Sequence, residues 1–160
     1  MDKQELGQRI VALTGTLYHI SYSLLRSEAD REDAVQSAIE KGWRKAAALR
    51  DERKLKPWLV RILINECYTI LRRNSREFPA EMSCNPAAPA PNRDSALRDE
   101  ILALPEPLRL PIVLHYMEGF SIKDIASALR CPQGTVLSRM NRGRSILKRN
   151  LSEANHDEEK

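Results

Sequence analysis

Apolar residues recur every three or four positions along most of this chain, the spacing of an amphipathic α-helix. In the first half this pattern predicts three helices: Lys3 to about Arg26, a second starting near Asp30, and Pro57 to about Arg76. No segment shows the alternation typical of a β-strand, so we predict an all-α protein. The positions expected to face the core are Leu6, Ile10, Leu13, Leu17, Ile20 and Leu24, then Val35, Ile39, Gly42 and Ala46, then Leu59, Leu63, Cys67 and Ile70.

The segment from Ser121 to Leu151 predicts two further helices joined by a tight turn. Ser121 and Asp124 have the spacing of a capping box, which marks a helix start. Pro132 cannot continue this helix but suits the first turn of the next one. The second helix has an apolar side and, opposite it, hydroxyl and guanidinium groups, with no acidic residue between Cys131 and Ser152. This pattern is typical of a DNA-binding helix-turn-helix, although a core helix with a solvated basic face is the plainer alternative.

Between these halves, residues 78–93 contain four prolines and no helical period. This composition predicts a flexible linker. We therefore divide the chain into a helical domain over 1–77, a linker over 78–94 and a second helical domain over 95–152. The acidic tail, 153–160, is expected to be disordered.

Composition narrows the function. The 160 residues carry 26 Lys and Arg against 22 Asp and Glu, a net charge of +4 that suits a nucleic-acid partner. The three cysteines, Cys67, Cys84 and Cys131, lack metal-site spacing and indicate a reducing, cytoplasmic location. No phosphate loop, nucleophile elbow or membrane-length apolar run is present, so we expect no enzyme activity, no cofactor or metal, and no membrane insertion.

The third predicted helix carries a second polar stripe, in which Trp58, Arg61, Asn65, Thr69 and Arg72 share one face. An aromatic ring, arginines and an amide could stack a base and hold a nucleic-acid backbone. The preceding loop adds Arg50, Arg53, Lys54 and Lys56. On this stripe alone, packing of Trp58 at the bundle edge beside solvated arginines is the favoured interpretation.

Taken together, the two segments resemble an RNA polymerase sigma factor of the extracytoplasmic-function (ECF) type, the minimal form of the bacterial sigma-70 family. LYHISYSLLRSEADREDAVQSAIEKGWRKAAALRD and KPWLVRILINECYTILRR are similar to region 2. LPEPLRLPIVLHYMEGFSIKDIASALRCPQGTVLSRMNRGRSILK is similar to region 4. The resemblance implies two all-α domains joined flexibly, which bind core RNA polymerase and promoter DNA. It also implies an anti-sigma factor, often membrane-bound in this family.

The resemblance assigns roles to the polar faces. The resemblance implies that core polymerase docks on a face formed by Asp30, Asp33, Gln36 and Glu40. Its implied −10 recognition and melting residues are Arg50, Arg53, Lys54, Lys56, Trp58, Arg61, Asn65 and Arg72. Its implied −35 residues are Thr135, Ser138, Arg139, Arg142, Ser145 and Arg149.

Some positions depart from the family pattern. Leu137 and Asn141 replace residue types frequent on the recognition helix, so the −35 sequence does not follow from the resemblance. Arg130 stands where a glycine often ends the first helix of the motif. Two alternatives stay open: a stand-alone helix-turn-helix regulator, and a sigma-like protein that binds polymerase without melting DNA.

Overall fold

The structure, a computed structural model, describes residues 2–77 and 95–158, and all regular secondary structure in these ranges is helical. This confirms the all-α prediction. The predicted linker, with Cys84, lies outside the described residues. The α-helices are α1 (Lys3–Ala12), α2 (Thr14–Tyr22), α3 (Glu28–Arg44), α4 (Leu55–Glu77), α5 (Ser95–Ala103), α6 (Glu106–Ile112), α7 (Ile122–Leu129) and α8 (Gln133–Glu158). No helix in these two ranges is long and apolar enough to cross a membrane.

The first predicted helix is in fact two helices. The Leu13 N–H donates to the Ile10 carbonyl, three residues back, and α2 starts at the next residue. Thr14 and Gly15, both poor helix formers, follow this break. The chain then leaves the helix after Tyr22, and Leu24 is buried in the connection to α3 rather than within a helix.

The close approach of α3 to α4 organises the first domain. The helix begins at Glu28, slightly before the predicted start, because the Ser27 hydroxyl caps it by accepting the Asp30 N–H. Gly42 faces α4 so closely that a Cβ there would lie 2.6 Å from a Leu59 methyl carbon. Gly42 therefore permits the contact, and a larger residue would push the helices apart.

The apolar side of α4 is buried as predicted. Leu59, Leu63, Cys67 and Ile70 all lie in the core. Burial raises the pKa of the Cys67 thiol to about 12, so this cysteine stays protonated and unreactive at neutral pH.

The helical segment that follows α5 changes character midway. Helix α6 ends at Ile112, and Val113–Met117 form a wider π-helical turn. Pro111 cannot donate a backbone hydrogen bond, which weakens the α-helical pattern here. The buried Arg109 guanidinium donates to the Leu102 carbonyl at 2.9 Å and so ties α6 to the end of α5, a helix that the sequence did not reveal.

The predicted helix-turn-helix is present as α7 and α8. The Ser121 hydroxyl accepts the Asp124 N–H at 3.0 Å, as the capping box predicts. Arg130 ends α7 in the left-handed conformation, at φ 55°, so the arginine itself adopts the geometry that a glycine would favour. No glycine or proline interrupts α8 after Gly143, and the helix continues to Glu158, into the segment for which the sequence predicts a tail.

We expect Ser121→Ala to lower the free energy of unfolding by about 1 kcal/mol, because the α7 N-terminus loses its side-chain cap. Urea unfolding would measure the change. Ser127→Ala makes the same substitution at an exposed position inside α7 and should be neutral or slightly stabilising. Equal losses from both variants would contradict the capping role.

Candidate nucleic-acid and partner interfaces

One side of α8 packs into the second domain, and this fixes which residues the opposite side presents. Val136, Met140 and Leu147 are buried. Gly143 lies against Ile112, where a Cβ would come within 2.4 Å of the Ile112 Cδ1. The opposite side forms an open depression lined by Gly134, Thr135, Ser138, Arg139 and Arg142. Four of the six predicted −35 residues thus meet in one concave surface.

The other hydroxyl and basic side chains of α8 differ in whether contacts within the protein already engage them. The Ser145 hydroxyl donates to the Asn141 carbonyl at 3.0 Å, which occupies its proton, and Arg149 is exposed farther along the helix. Arg144 is held elsewhere: it donates to the Tyr116 hydroxyl at 3.0 Å, with its guanidinium 5.9 Å from the ring centroid. Arg144 is therefore basic but does not belong to the depression.

The predicted −10 stripe of α4 is only partly open to solvent. Trp58 is half-buried against the first core, close to Gly42, as the packing interpretation expected. Arg61 is also half-buried, whereas Asn65 and Arg72 are exposed. The stripe thus combines a packed aromatic end with a more accessible polar end.

The basic segment over residues 50–56, which runs into the start of α4, divides in a similar way. Arg50, Arg53 and Lys54 are exposed. The Arg53 backbone N–H donates to the Asp51 carboxylate at 3.0 Å and lowers its pKa. Lys56 instead turns to the second domain, where it donates to the Glu118 carbonyl at 3.2 Å and lies 5.0 Å from the Phe120 ring centroid.

Three of the four residues predicted to dock core polymerase are exposed, and the fourth is engaged within the first domain. Asp33, Gln36 and Glu40 are exposed on α3. Asp30, however, accepts a hydrogen bond from the Asn74 amide at 3.0 Å and lies 3.6 Å from Arg73, so its carboxylate joins α3 to the end of α4. The geometry gives Asp30 a structural contact that the sequence could not show.

A groove between α2 and α3 adjoins this face. Its lining includes Gln36 and Glu40, which were predicted, together with residues that were not: Thr14, Tyr18, Glu32, Val35 and Ile39. The α2 residues were missed because their place beside α3 depends on how α2 packs after the break at Leu13.

The polar side of α4 also contacts the second domain. Helix α4 packs against α7. The Tyr68 hydroxyl donates to the Glu106 carboxylate at the start of α6. Burial and this hydrogen bond both raise the pKa of the Tyr68 phenol. A small cavity between the domains is lined by Asn65, Tyr68 and Glu106, with Arg130 and Arg139.

Arg61 lies in an electropositive part of this contact. Its guanidinium pKa is lowered first by burial and then by the neighbouring charge of Arg130. Its buried Nε has no hydrogen-bond partner among the described residues. The two arginines therefore repel each other across the domain boundary.

Two contacts extend the boundary to α2. His19 Nδ1 lies 3.6 Å from a Glu118 carboxylate oxygen. The Arg98 guanidinium of α5 lies 5.7 Å from the centroid of the Tyr22 ring. Burial raises the pKa of the Glu118 carboxyl although the Lys56 ammonium and the His19 imidazole lie nearby. The two domains thus touch through both α2 and α4.

Comparison with known proteins gives consistent matches across both domains. Residues 10–77 match the family Sigma-70 region 2, and residues 94–147 match the family Sigma-70, region 4. The chain is 31% identical over 145 residues to the ECF RNA polymerase sigma factor SigM of Mycobacterium tuberculosis, covering 87% of this chain and 73% of SigM. It is 32% identical over 170 residues to the RNA polymerase sigma-H factor of Pseudomonas aeruginosa, covering 94% of this chain and 88% of that protein.

A solved structure matches over nearly the whole chain. The sigma factor RpoE of Bartonella quintana, in its co-crystal structure with the anti-sigma factor NepR, superposes with a TM-score of 0.77 at 28% identity. The match covers 93% of this chain and 98% of RpoE. The fold match therefore includes both domains.

We expect Asp30→Ala to lower the free energy of unfolding by about 1 kcal/mol, because the Asn74 amide loses its partner. Asp33→Ala removes an exposed carboxylate from the same helix and should change stability little. Urea denaturation of the two variants would compare them. If both behave alike, the Asp30 contact does not support the fold.

Proposed function

Since the chain belongs to the sigma-70 family as an RNA polymerase sigma factor of the ECF type, we propose that it directs core polymerase to promoters by reading the −35 element with α8 and opening the −10 element with the polar side of α4. The observation that carries this proposal is the pair of family matches in order along one chain, residues 10–77 followed by 94–147. A sigma factor is an initiation factor, and the proposal requires no catalytic residue.

The −35 assignment is supported by the chemistry of the depression on α8. Thr135 and Ser138 offer hydroxyls, and Arg139 and Arg142 offer guanidinium forks. Guanidinium groups bind guanine edges or phosphates, and hydroxyls bind bases or phosphates, so the surface suits a duplex major groove. Ser145 and Arg149 would extend the contact along the backbone. Binding should weaken steeply with salt as counterions are released.

The −10 assignment combines charge, an amide and an aromatic ring. Exposed Arg50, Arg53 and Lys54 would attract the DNA backbone, with Lys56 and Arg72 at either end of the site. Asn65 can donate to and accept from a base edge. Trp58 is packed on one side, which would hold a stacking surface rigid, and Arg61 lies one helical turn beyond it.

The core polymerase would dock on the exposed side of α3. Asp33, Gln36 and Glu40 present an acidic and polar surface suited to a basic partner. The adjoining groove adds Tyr18, an aromatic residue of the kind that anchors protein interfaces. In this proposal Asp30 contributes mainly by holding the N-terminal end of α3 on α4.

We also propose that an anti-sigma protein binds this chain, as NepR binds the structurally similar RpoE. The protein would act in the cytoplasm, where core polymerase and promoter DNA are found.

Promoter-dependent run-off transcription tests the main proposal, using purified bacterial core polymerase, this protein and a library of random upstream sequences. Transcripts that start at a fixed distance from a shared two-part motif would support it. A DNA footprint without initiation would instead indicate a stand-alone regulator.

We expect Arg142→Ala to weaken binding to the selected −35 duplex by about five- to a hundredfold, with core affinity unchanged. Fluorescence anisotropy would measure the dissociation constant. Arg144→Ala removes the same charge from a side chain held by Tyr116 and should cost much less. The reverse order of effects would refute the assigned face of α8.

Charge reversal at the proposed docking face should weaken the binding of core polymerase and not the binding of DNA. We expect Asp33→Arg to reduce core-polymerase affinity at least tenfold because a favourable charge becomes repulsive, while the affinity for DNA is retained. Asp99→Arg, an identical change at an exposed position of α5, is the control. Co-elution with core polymerase would measure both, and unchanged affinity of the Asp33 variant would exclude this face.

A further inference from the structure

We propose that Leu137 and Asn141 of α8 make the −35 surface of this protein select A·T base pairs. In this inference Leu137 packs on the methyl group of a thymine, and the Asn141 amide forms a pair of hydrogen bonds with an adenine. The inference rests on the proposed function, because it names the bases that the −35 surface reads. Neither residue lines the depression already described on α8.

Leu137 is a large apolar side chain that the fold does not use for packing. It is 45% exposed, whereas Val136 beside it is fully buried in the core. Among the side chains that the structure describes on α8, Leu137 is the only large apolar one that is exposed. Single exposed leucines are ordinary on protein surfaces, so exposure alone does not indicate a contact. The role of this leucine therefore depends on the groups around it.

Asn141 lies one helical turn beyond Leu137, on the same outward side of α8. Residues four positions apart are neighbours on a helix surface. Asn141 is exposed, and its backbone carbonyl accepts the Ser145 hydroxyl at 3.0 Å. Its side-chain amide has no hydrogen-bond partner among the described residues, so its donor and its acceptor are both available to a ligand. An apolar group and an unengaged amide thus lie side by side.

The charge of this surface favours DNA over an apolar protein as the partner. Ser138 and Arg142 directly follow the two residues along α8, and both are exposed. No acidic residue lies between Cys131 and Ser152. A positive, hydroxyl-bearing helix attracts the phosphate backbone, which would bring the leucine and the asparagine to the base edges in the groove.

The A·T pair is the base pair that matches both side chains in the major groove. Thymine presents a methyl group there, and adenine presents an acceptor and a donor side by side at N7 and N6. Leucine has no hydrogen-bonding group, so it suits the methyl group and would leave the polar edge of a G·C pair without a partner. An asparagine amide donates to N7 and accepts from N6, whereas guanine offers two acceptors and no donor.

The spacing of the two residues fits base pairs that lie close together. A rise of about 1.5 Å per residue places Leu137 and Asn141 about 6 Å apart along the helix axis. Successive base pairs are about 3.4 Å apart, so the two side chains would reach base pairs within about two steps of each other. Both residues lie in the N-terminal half of α8, the part of a recognition helix that reads bases.

The test selects preferred DNA with the full-length protein, both alone at low salt and assembled with core polymerase. The probe is a library of DNA duplexes with a randomised segment, and the bound and unbound fractions are sequenced. We expect the wild type to enrich two nearby A·T pairs. Leu137→Ala should lose the preference for thymine at one of them. Asn141→Ala should lose the preference for adenine at the other by about five- to a hundredfold, the range for one bidentate base contact.

Each variant has a matched control in the same domain. Leu97→Ala removes a leucine of α5 that is 49% exposed. Asn150→Ala removes an amide that donates to Glu100 at 3.1 Å and is not free for DNA. Neither control should change the enriched sequence. Alanine is a strong helix former, so all four variants should keep the fold, which circular dichroism checks.

Modified bases test each contact at single atoms of the enriched duplex. Uracil in place of the thymine removes only the methyl group, and should weaken wild-type binding about fourfold without affecting Leu137→Ala. A deazaadenine, in which a C–H replaces N7, should weaken the binding of the wild type but not that of Asn141→Ala. Fluorescence anisotropy measures the dissociation constants. Equal losses in the wild type and the matching variant would show that the contact is made by another residue.

An enriched sequence that both variants leave unchanged, or no enriched sequence at all, would overturn this inference. A Leu137→Ala variant that loses affinity for core polymerase but keeps its DNA preference would also overturn it, because Leu137 would then be a protein contact. The proposed function fails separately. A chain that selects the two A·T pairs but never initiates run-off transcription loses the sigma role and keeps this inference. One that initiates at promoters whose −35 bases do not depend on either residue keeps the sigma role alone.

Discussion

Helix α4 is packed on two sides, and the arrangement of both domains depends on that packing. Its apolar side fits against α3, where Gly42 lets the helices approach until a Leu59 methyl carbon fills the space of a side chain. Its opposite side meets α7 and carries the residues proposed for −10 recognition. A helix with two packed sides has little freedom to shift, so the polar stripe is held in a defined position relative to the core.

The side of α4 proposed to bind DNA therefore also makes contacts with the second domain. The side chains that suit DNA binding are charged or polar, and covering them with the second domain has a desolvation cost. The Tyr68–Glu106 and Lys56–Glu118 hydrogen bonds offset part of that desolvation cost. The buried Arg61 Nε has no hydrogen-bond partner among the described residues, so its desolvation is not offset. A surface designed only for internal packing would carry apolar residues there.

In the second domain, the packed side and the exposed polar side of α8 are clearly separated. The apolar side of α8 is fixed by Val136, Met140 and Leu147, and Gly143 allows close contact with α6. The opposite side is then free to present hydroxyls and guanidinium groups in one depression. Arg144 is basic but lies away from that surface, because its guanidinium donates to the hydroxyl of Tyr116 in the π-helical turn after α6.

The sequence alone determined the helical class, the capped start of α7, the buried side of α4 and the exposed basic side of α8. These depend on local periodicity and short-range hydrogen bonds, which are encoded within a few residues. It did not reveal the break at Leu13, helix α5 or the helical tail to Glu158, because these depend on marginal local preferences. Only the tertiary structure decided that Asp30 supports the fold and that Lys56 and Tyr68 reach the second domain. Those contacts join residues from 38 to 62 positions apart, and periodicity carries no information on which distant side chains meet.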